Sequence, residues 1–170
     1  MQHRLAILSA AAVLAACAHT LPTPVPPQLR PAGEHLAFTL AARGVQVYEC
    51  RAKKDAAGQY EWAFVAPEAE LFDARGAAAG KHYAGPHWEA LDGSKTLGSV
   101  AARADAPNGS IPWLLLTTRP AGGAGAFANV TSIQRVNTTG GLAPAGGCGA
   151  ANTGAVARVP YTADYNFLMR

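Results

Sequence analysis

The densest group of side chains able to do chemistry lies between residues 80 and 94, in the segment GKHYAGPHWEALDGS. It contains His82, Tyr83, His87, Trp88, Glu89 and Asp92. The two histidines stand five positions apart, with a glycine and a proline between them that favour a turn. Such a turn would let both imidazoles converge on a metal ion, with Glu89 or Asp92 supplying a carboxylate. The spacing matches no established motif such as HExxH, so a structural alternative stays open, in which His82 bonds to a neighbouring loop and Trp88 packs in the core.

Aromatic and planar polar side chains also suit a small molecule or glycan, because rings cover apolar sugar faces while amide and guanidinium groups fix hydroxyls. The aromatic candidates are Trp62, Trp88, Trp113, Tyr48, Tyr83, Tyr161 and Tyr165, and the polar ones are Arg43, Gln46, Gln134, Arg135 and Asn137. The candidate ligand-binding set that we select is His82, Tyr83, Trp88, Glu89, Arg43, Gln46 and Arg135. The chain lacks a catalytic signature such as GxSxG, so the sequence assigns no catalytic residue and favours binding over catalysis.

The elements that must position these residues are strands, because apolar, β-branched and aromatic residues occur in short runs separated by Gly, Pro, Asn and Asp. The predicted strands cover residues 35–41, 44–52, 60–65, 96–103, 111–118, 129–137 and 156–169. The run WLLL at 113–116 does not alternate, which is typical of a strand covered on both faces. The sequence therefore predicts an all-β, single-domain sandwich or barrel over residues 34–170.

Long glycine-rich loops separate the predicted strands, at residues 93–98, 119–126 and 139–154. Loops of this length are uncommon unless they bind something or are held in place. Of the three cysteines in the chain, Cys50 and Cys148 are predicted to form a disulfide, which would attach the longest loop to a strand.

The first residues, MQHRLAILSAAAVLAAC, predict a secretory signal peptide over 1–16 that is too short to span a membrane. Leu14 to Cys17 resembles a bacterial lipobox, so Cys17 is the predicted site of lipidation and the lipid bilayer a predicted partner. Residues 17–33 then form a lipidated, proline-rich tether that we expect to be extended and largely unpacked. Ala18 beside the cysteine favours an outer-membrane lipoprotein facing the periplasm or the cell surface.

The charge of the chain argues against nucleic acid as a partner. The full sequence has a net charge of +3, and its basic residues are spread thinly, with Lys53 and Lys54 the only adjacent lysines. Nucleic-acid-binding proteins usually concentrate Lys and Arg in a patch. We also expect no cofactor, apart from the metal ion of the alternative given above.

Several motifs in this order resemble a family of exported bacterial and fungal proteins classified only as a domain of unknown function. They are RGVQVYEC, HYAGPHWEALDGS, IPWLLL, IQRVNTTGGLAP and YTADYNF, and the resemblance covers nearly all of residues 34–170. It implies one β-rich secreted domain and no settled activity. Where the family often has Thr before the Trp of its GP-x-W-E motif, this chain has His87, which leaves His82 as the better metal candidate.

The sequence thus predicts an exported, lipid-anchored envelope protein that binds a small molecule or a glycan. A metal-assisted enzyme that uses His82 and nearby carboxylates is the first alternative. A purely structural envelope component is the second.

Overall fold

The protein folds as a closed barrel of eight antiparallel strands, each paired with its neighbours in sequence, with the first paired to the last. The computed structural model describes residues 24–170. The strands are β1 (His35–Ala52), β2 (Tyr60–Phe72), β3 (Ala78–Tyr83), β4 (His87–Ala90), β5 (Lys95–Ala104), β6 (Trp113–Gly122), β7 (Ser132–Gly140) and β8 (Val156–Met169). Two 3-10 turns, Pro27–Leu29 and Ala150–Asn152, complete the regular structure. The prediction of an all-β domain is confirmed, in its barrel form. No helix within residues 24–170 has the length and apolar character needed to cross a membrane.

The strand pattern departs from the prediction in several places, and one is β2, which runs to Phe72 and not to Val65. Residues 35–52 form one long strand rather than two, since Gly44 sits where β2 passes close by: a Cβ at this position would lie 2.1 Å from the Glu68 carbonyl oxygen. The glycine therefore permits close strand packing and does not end the strand. The two short strands β3 and β4 lie in the segment that the sequence marked only as turn-containing.

Side chains on alternate positions fill the barrel, and a second, smaller apolar cluster lies on its outer surface. On β6, Leu114 and Leu116 belong to the interior cluster, whereas Trp113 and Leu115 belong to the outer one. All four are buried, which confirms that this strand is covered on both faces.

The outer cluster is covered by the segment before β1. Leu29 is completely buried against Trp113, Leu115 and Val136, and its carbonyl oxygen accepts a hydrogen bond of 2.6 Å from Gln134 Nε2. The prediction of a largely unpacked tether up to residue 33 is thus wrong for this part, because Leu29 has an apolar surface to bury. The predicted signal peptide and Cys17 lie outside the described residues.

A plug of three phenylalanines closes one end of the barrel. Phe127, in the loop after β6, stacks on Phe167 with 4.7 Å between ring centroids, and Phe38 stacks on Phe167 at the same distance. The loop is held in place because Asp92 accepts a hydrogen bond from the Ala126 amide at 2.8 Å. A Cβ at Gly125 would lie 2.3 Å from this carboxylate, so the close contact requires glycine.

The longest glycine-rich loop, residues 141–155, is attached to β1 and β2 at the opposite end. The predicted disulfide between Cys50 and Cys148 is confirmed, with 5.4 Å between the two Cα atoms. Tyr48 donates a hydrogen bond of 2.6 Å to the Gly141 carbonyl, and Trp62 Nε1 donates one of 2.8 Å to the Gly146 carbonyl.

Candidate functional site

A cavity of about 470 Å³ occupies the part of the barrel that lies away from the phenylalanine plug. Its inner wall is formed by inward-facing side chains of six strands: Gln46, Tyr48, His82, Trp88, Leu114, Leu116, Arg135 and Tyr165. Its outer rim is formed by Phe64, Val65, Pro67, Gly85, Pro86, Val100, Arg103, Ile111 and Pro112. Eight-stranded barrels have room for either a filled core or one small ligand. In this barrel, side chains fill one part of the interior and the cavity occupies the other.

The cavity opens where the barrel wall is interrupted above the short β3–β4 hairpin. The β2–β3 ladder joins only residues 69–72 of β2, and the β4–β5 ladder joins only residues 95–97 of β5. Beyond these ladders the two long strands flank a gap, with the turn at Gly85 and Pro86 as its floor. Phe64 and Val65 border the gap on one side and Val100 on the other, and all three are about half exposed. We call this opening the entrance.

His82 and Trp88 form a stacked pair on the cavity wall. They are directly opposite each other in the β3–β4 ladder, and their ring centroids are 4.2 Å apart. Tyr165 meets both rings edge-on. Gly98 makes room for the indole, because a Cβ there would lie 2.8 Å from a Trp88 ring carbon.

His82 is neutral and in a single tautomer. Its Nδ1 lies 2.9 Å from the His87 carbonyl oxygen, which can only accept a hydrogen bond, so Nδ1 carries the proton and Nε2 is an acceptor. Complete burial lowers the pKa of His82 to about 3, and the nearby Arg135 guanidinium acts in the same direction. The ring therefore adds no charge to the cavity at neutral pH.

Arg135 brings a positive charge into the cavity wall. It lies on β7 between Leu114 and Tyr165 of the neighbouring strands. Its Nε and Nη2 atoms donate hydrogen bonds of 3.1 and 2.8 Å to the Pro112 carbonyl oxygen. Three of the five guanidinium N–H groups are not used in these bonds. Arg135 forms no ion pair with any residue in the described range 24–170.

Three buried tyrosines surround this guanidinium. Burial raises the pKa of Tyr48, Tyr161 and Tyr165, while the Arg135 charge opposes each rise. The phenols are therefore protonated at neutral pH, and the Tyr161 and Tyr165 hydroxyl oxygens lie 3.3 Å apart. Since no Asp or Glu among residues 24–170 lines the cavity, these residues give it a positive charge.

Two hydrogen-bond donors of the cavity wall are left without partners. Gln46 Nε2 and Trp88 Nε1 are buried and have no acceptor among residues 24–170. Buried polar groups usually have a partner, and leaving one without costs about 1 to 3 kcal/mol. Unpaired donors of this kind are typical of sites where a ligand or an ordered water supplies the acceptor.

The structure brings together four of the predicted ligand-binding residues, namely Gln46, His82, Trp88 and Arg135. Tyr83 and Glu89 lie on the outer face of the barrel instead, where the Tyr83 hydroxyl donates to the Glu89 carboxylate at 2.8 Å. Lys95 Nζ lies 3.3 Å from the same carboxylate. The Tyr83 hydrogen bond, followed by Lys95, lowers the pKa of Glu89.

Arg43 also lies outside the cavity. Its guanidinium carbon is 5.2 Å from the centre of the Phe72 ring, and the side chain borders a shallow groove over β1, β2 and β3. This groove carries charges of both signs, including the Arg158 and Glu68 ion pair. The structure therefore separates Arg43 from the cavity-lining candidates.

The two predicted metal ligands, His82 and His87, do not converge. Since His82 pairs with Trp88 and Tyr83 pairs with His87 in the ladder, the two imidazoles project from opposite faces of the hairpin. His82 faces the cavity, while His87 stacks on Tyr83 outside, with 5.4 Å between ring centroids. No cluster of three or more His, Cys, Asp or Glu side chains placed to hold a metal is found between residues 24 and 170.

The apolar rim of the entrance is not predicted by the motifs of the sequence. Phe64 and Val65 were recognised only as parts of a strand, and Val100 and Arg103 likewise. The signal available was the pair of adjacent apolar residues on β2, which breaks the alternation expected of a strand with one face in water.

The chain matches no curated protein and no solved structure. It does match the model of the family described as "Protein of unknown function (DUF3455)" over residues 31–169. This match spans the whole barrel and confirms the resemblance to a domain of unknown function. On this evidence the chain belongs to the DUF3455 family.

Proposed function

We propose that this chain is an exported, lipid-anchored envelope protein that binds one small organic molecule inside its barrel. The observation that carries the proposal is the cavity of about 470 Å³ with an apolar rim and a few convergent polar groups. This volume falls within the range of small-molecule sites, which are typically concave, mostly apolar and supplied with a small number of orienting polar groups.

A compact molecule fits this wall better than a glycan. Sugar recognition uses open aromatic faces, and the tryptophans offer few of them. One face of Trp88 is stacked on His82, Trp113 is buried under Leu29 on the outer surface, and Trp62 is held by the Gly146 carbonyl. The inner wall contributes instead the side chains of Leu114 and Leu116.

Binding is also better supported than catalysis. General acid and base work needs paired titratable groups within hydrogen-bond reach of one reacting atom. Of the groups on this wall, His82 is neutral with Nδ1 engaged by a backbone carbonyl, and the guanidinium of Arg135 offers only hydrogen-bond donors. The polar groups are thus suited to hold a ligand in one orientation.

Export and anchoring rest on the first seventeen residues and on the disulfide. The signal sequence ends in a lipobox-like Leu14 to Cys17, and a disulfide persists in an oxidising compartment outside the cytosol. Mass spectrometry of the protein from membranes tests this part. We expect an N-terminal peptide that begins at acylated Cys17, and an unmodified Met1 terminus in the membrane fraction would contradict it.

A thermal-shift screen of the purified protein tests the binding proposal. The panel contains organic acids, alcohols, amines and oligosaccharides, and native mass spectrometry checks for a ligand that co-purifies. We expect at least one small molecule to raise the melting temperature at a stoichiometry of one. Neither a shift nor a co-purified ligand would overturn the proposal in favour of a structural envelope component.

The position of the site is tested with two exposed valines. Val100→Trp narrows the entrance and is expected to slow the association of any ligand found in the screen. Val156→Trp places the same indole on β8, away from the cavity lining, and is the matched control. If the ligand associates with both variants at the same rate, it does not enter through this entrance and binds elsewhere on the protein.

A further inference from the structure

We infer that the ligand is an amphipathic organic acid, with its carboxylate bound by Arg135 and its apolar part directed toward the entrance. This inference rests on the proposed function, since it names the class of molecule that the same cavity binds. Three properties of the cavity carry it: an uncompensated charge, an excess of hydrogen-bond donors and an apolar gradient toward the entrance.

The uncompensated charge belongs to Arg135. Its guanidinium lies among neutral groups, with His82, Tyr48, Tyr161 and Tyr165 as its titratable neighbours. Within the described part of the chain, residues 24–170, no carboxylate lines the cavity to balance it. Arg135 is partly buried, and a cation that is partly removed from water gains from a partner of opposite charge, which a bound anion supplies.

The unpaired hydrogen-bonding groups of the cavity wall are donors, so they require acceptor atoms on the ligand. Arg135 has three N–H groups beyond those that bond Pro112, and the amide nitrogen of Gln46 and the indole nitrogen of Trp88 are unpartnered. A carboxylate offers about four lone-pair sites and no donor when ionised. Its planar shape also suits two parallel bonds from a guanidinium.

The cavity wall becomes more apolar from Arg135 toward the entrance. Leu114 and Leu116 line the cavity beside Arg135, and Phe64, Val65 and Val100 border the entrance with exposed fractions of 53%, 46% and 45%. Exposed apolar groups gathered around a cavity mouth mark a surface that an apolar ligand covers. Arg103 is an exposed cation on the same rim, where it attracts anions from solution.

Matched pairs of ligands test the inference on the unaltered protein. The probes are 4-phenylbutanoate with 4-phenylbutanol, and octanoate with octanol, titrated calorimetrically at neutral pH. Each pair keeps the apolar part and changes only the head group. We expect each acid to bind at least about tenfold more tightly than its alcohol, because hydrogen bonds to a charged group are worth more than neutral ones.

Arginine variants then assign the head group to one residue. Arg135→Gln removes the charge and keeps a donor for the Pro112 carbonyl, and it is expected to reduce the affinity for both acids at least about tenfold while leaving the alcohols nearly unchanged. Arg158→Gln removes a cation from the outer surface and is expected to leave all four affinities unchanged. If Arg135→Gln fails to fold, the ligand pairs on the unaltered protein still decide the question.

The inference fails separately from the proposed function. Alcohols that bind as tightly as their acids, or acids that bind Arg135→Gln as tightly as the unaltered protein, would overturn the inference and leave the binding site intact. The same holds if neither acid binds and another class of compound in the panel does. If no compound binds at all, the proposed function itself is overturned and the inference with it.

Discussion

His82 and Trp88 occupy one register position of the β3–β4 ladder, and their rings stack inside the barrel with 4.2 Å between centroids. The neighbouring pair, Tyr83 and His87, stacks in the same way on the outer face. One short hairpin therefore carries two aromatic pairs, of which only the inner one belongs to the cavity wall. This division between inner and outer positions determines how substitutions in the hairpin affect stability.

Trp88→Ala should lower the free energy of unfolding by about 3 to 5 kcal/mol, because the indole is 1% exposed and leaves a void beside His82 and Tyr165. Glu89→Ala changes the next residue of the same strand, whose side chain faces outward, and should cost much less. Urea unfolding of both variants measures the difference. Similar losses would contradict the assignment of inner and outer faces.

Stability should fall as the pH is lowered from 7 to 5, and His82 should account for most of the fall. The folded protein keeps this ring neutral down to about pH 3, whereas the unfolded chain takes up a proton near pH 6.5. Between these values the unfolded state binds more protons, so the stability that is complete above pH 6.5 is lost on acidification. The expected loss between pH 7 and 5 is about 2 kcal/mol.

Urea unfolding at the two pH values measures this effect. His82→Gln should remove most of the pH dependence, and His87→Gln, which takes an imidazole from the outer face, should retain it. A pH dependence that survives in His82→Gln would show that another group is responsible.

Removal of the disulfide should lower the free energy of unfolding by about 4 kcal/mol. Cys50 and Cys148 are 98 positions apart, and a cross-link that closes so long a loop restricts the unfolded chain strongly. The double variant Cys50→Ser with Cys148→Ser tests this by urea unfolding. Reductant should destabilise the unaltered protein by a similar amount and leave the double variant unchanged. A response of the double variant to reductant would rule out this explanation.

Leu29→Ala should cost between about 2 and 5 kcal/mol, because this side chain is completely buried on the outer surface of β6 and β7. Leu36→Ala is the control, since that leucine is 55% exposed and should cost less than about 1 kcal/mol. Thermal unfolding ranks the two variants. A negligible loss for Leu29→Ala would mean that the segment before β1 contributes little to folding.

The sequence was sufficient to predict the strand content, because alternation and turn residues are local signals. β8 was predicted with its observed bounds, and the two-sided burial of Trp113 to Leu116 followed from their unbroken apolar run. The sequence could not distinguish a sandwich from a barrel, since that difference depends on the pairing of β1 with β8, whose residues are far apart in sequence. The pairing of Cys50 with Cys148 could be predicted, as the other cysteine stands in the lipobox-like segment.

Only part of the candidate site could be predicted from the sequence, and the reason is again the way in which the strands place their side chains. In β3 and β4, side-chain direction alternates at every residue, so a dense cluster in sequence is divided between two faces once it forms strands. His82 and Trp88 thereby reach the cavity, while Tyr83, His87 and Glu89 do not. The contribution of Gln46 and Arg135 depends on closure of the barrel, which brings β1 and β7 to either side of β8.

The phenylalanine plug has a kinetic consequence for whatever occupies the barrel. Within residues 24–170, Phe38, Phe127 and Phe167 fill the end remote from the interrupted wall, so a bound molecule leaves by the path through which it arrived. A larger side chain at position 65 or 100, in place of Val65 or Val100, then raises the activation barriers for ligand association and dissociation by the same amount. The residence time of the ligand can thus change while its equilibrium dissociation constant stays the same.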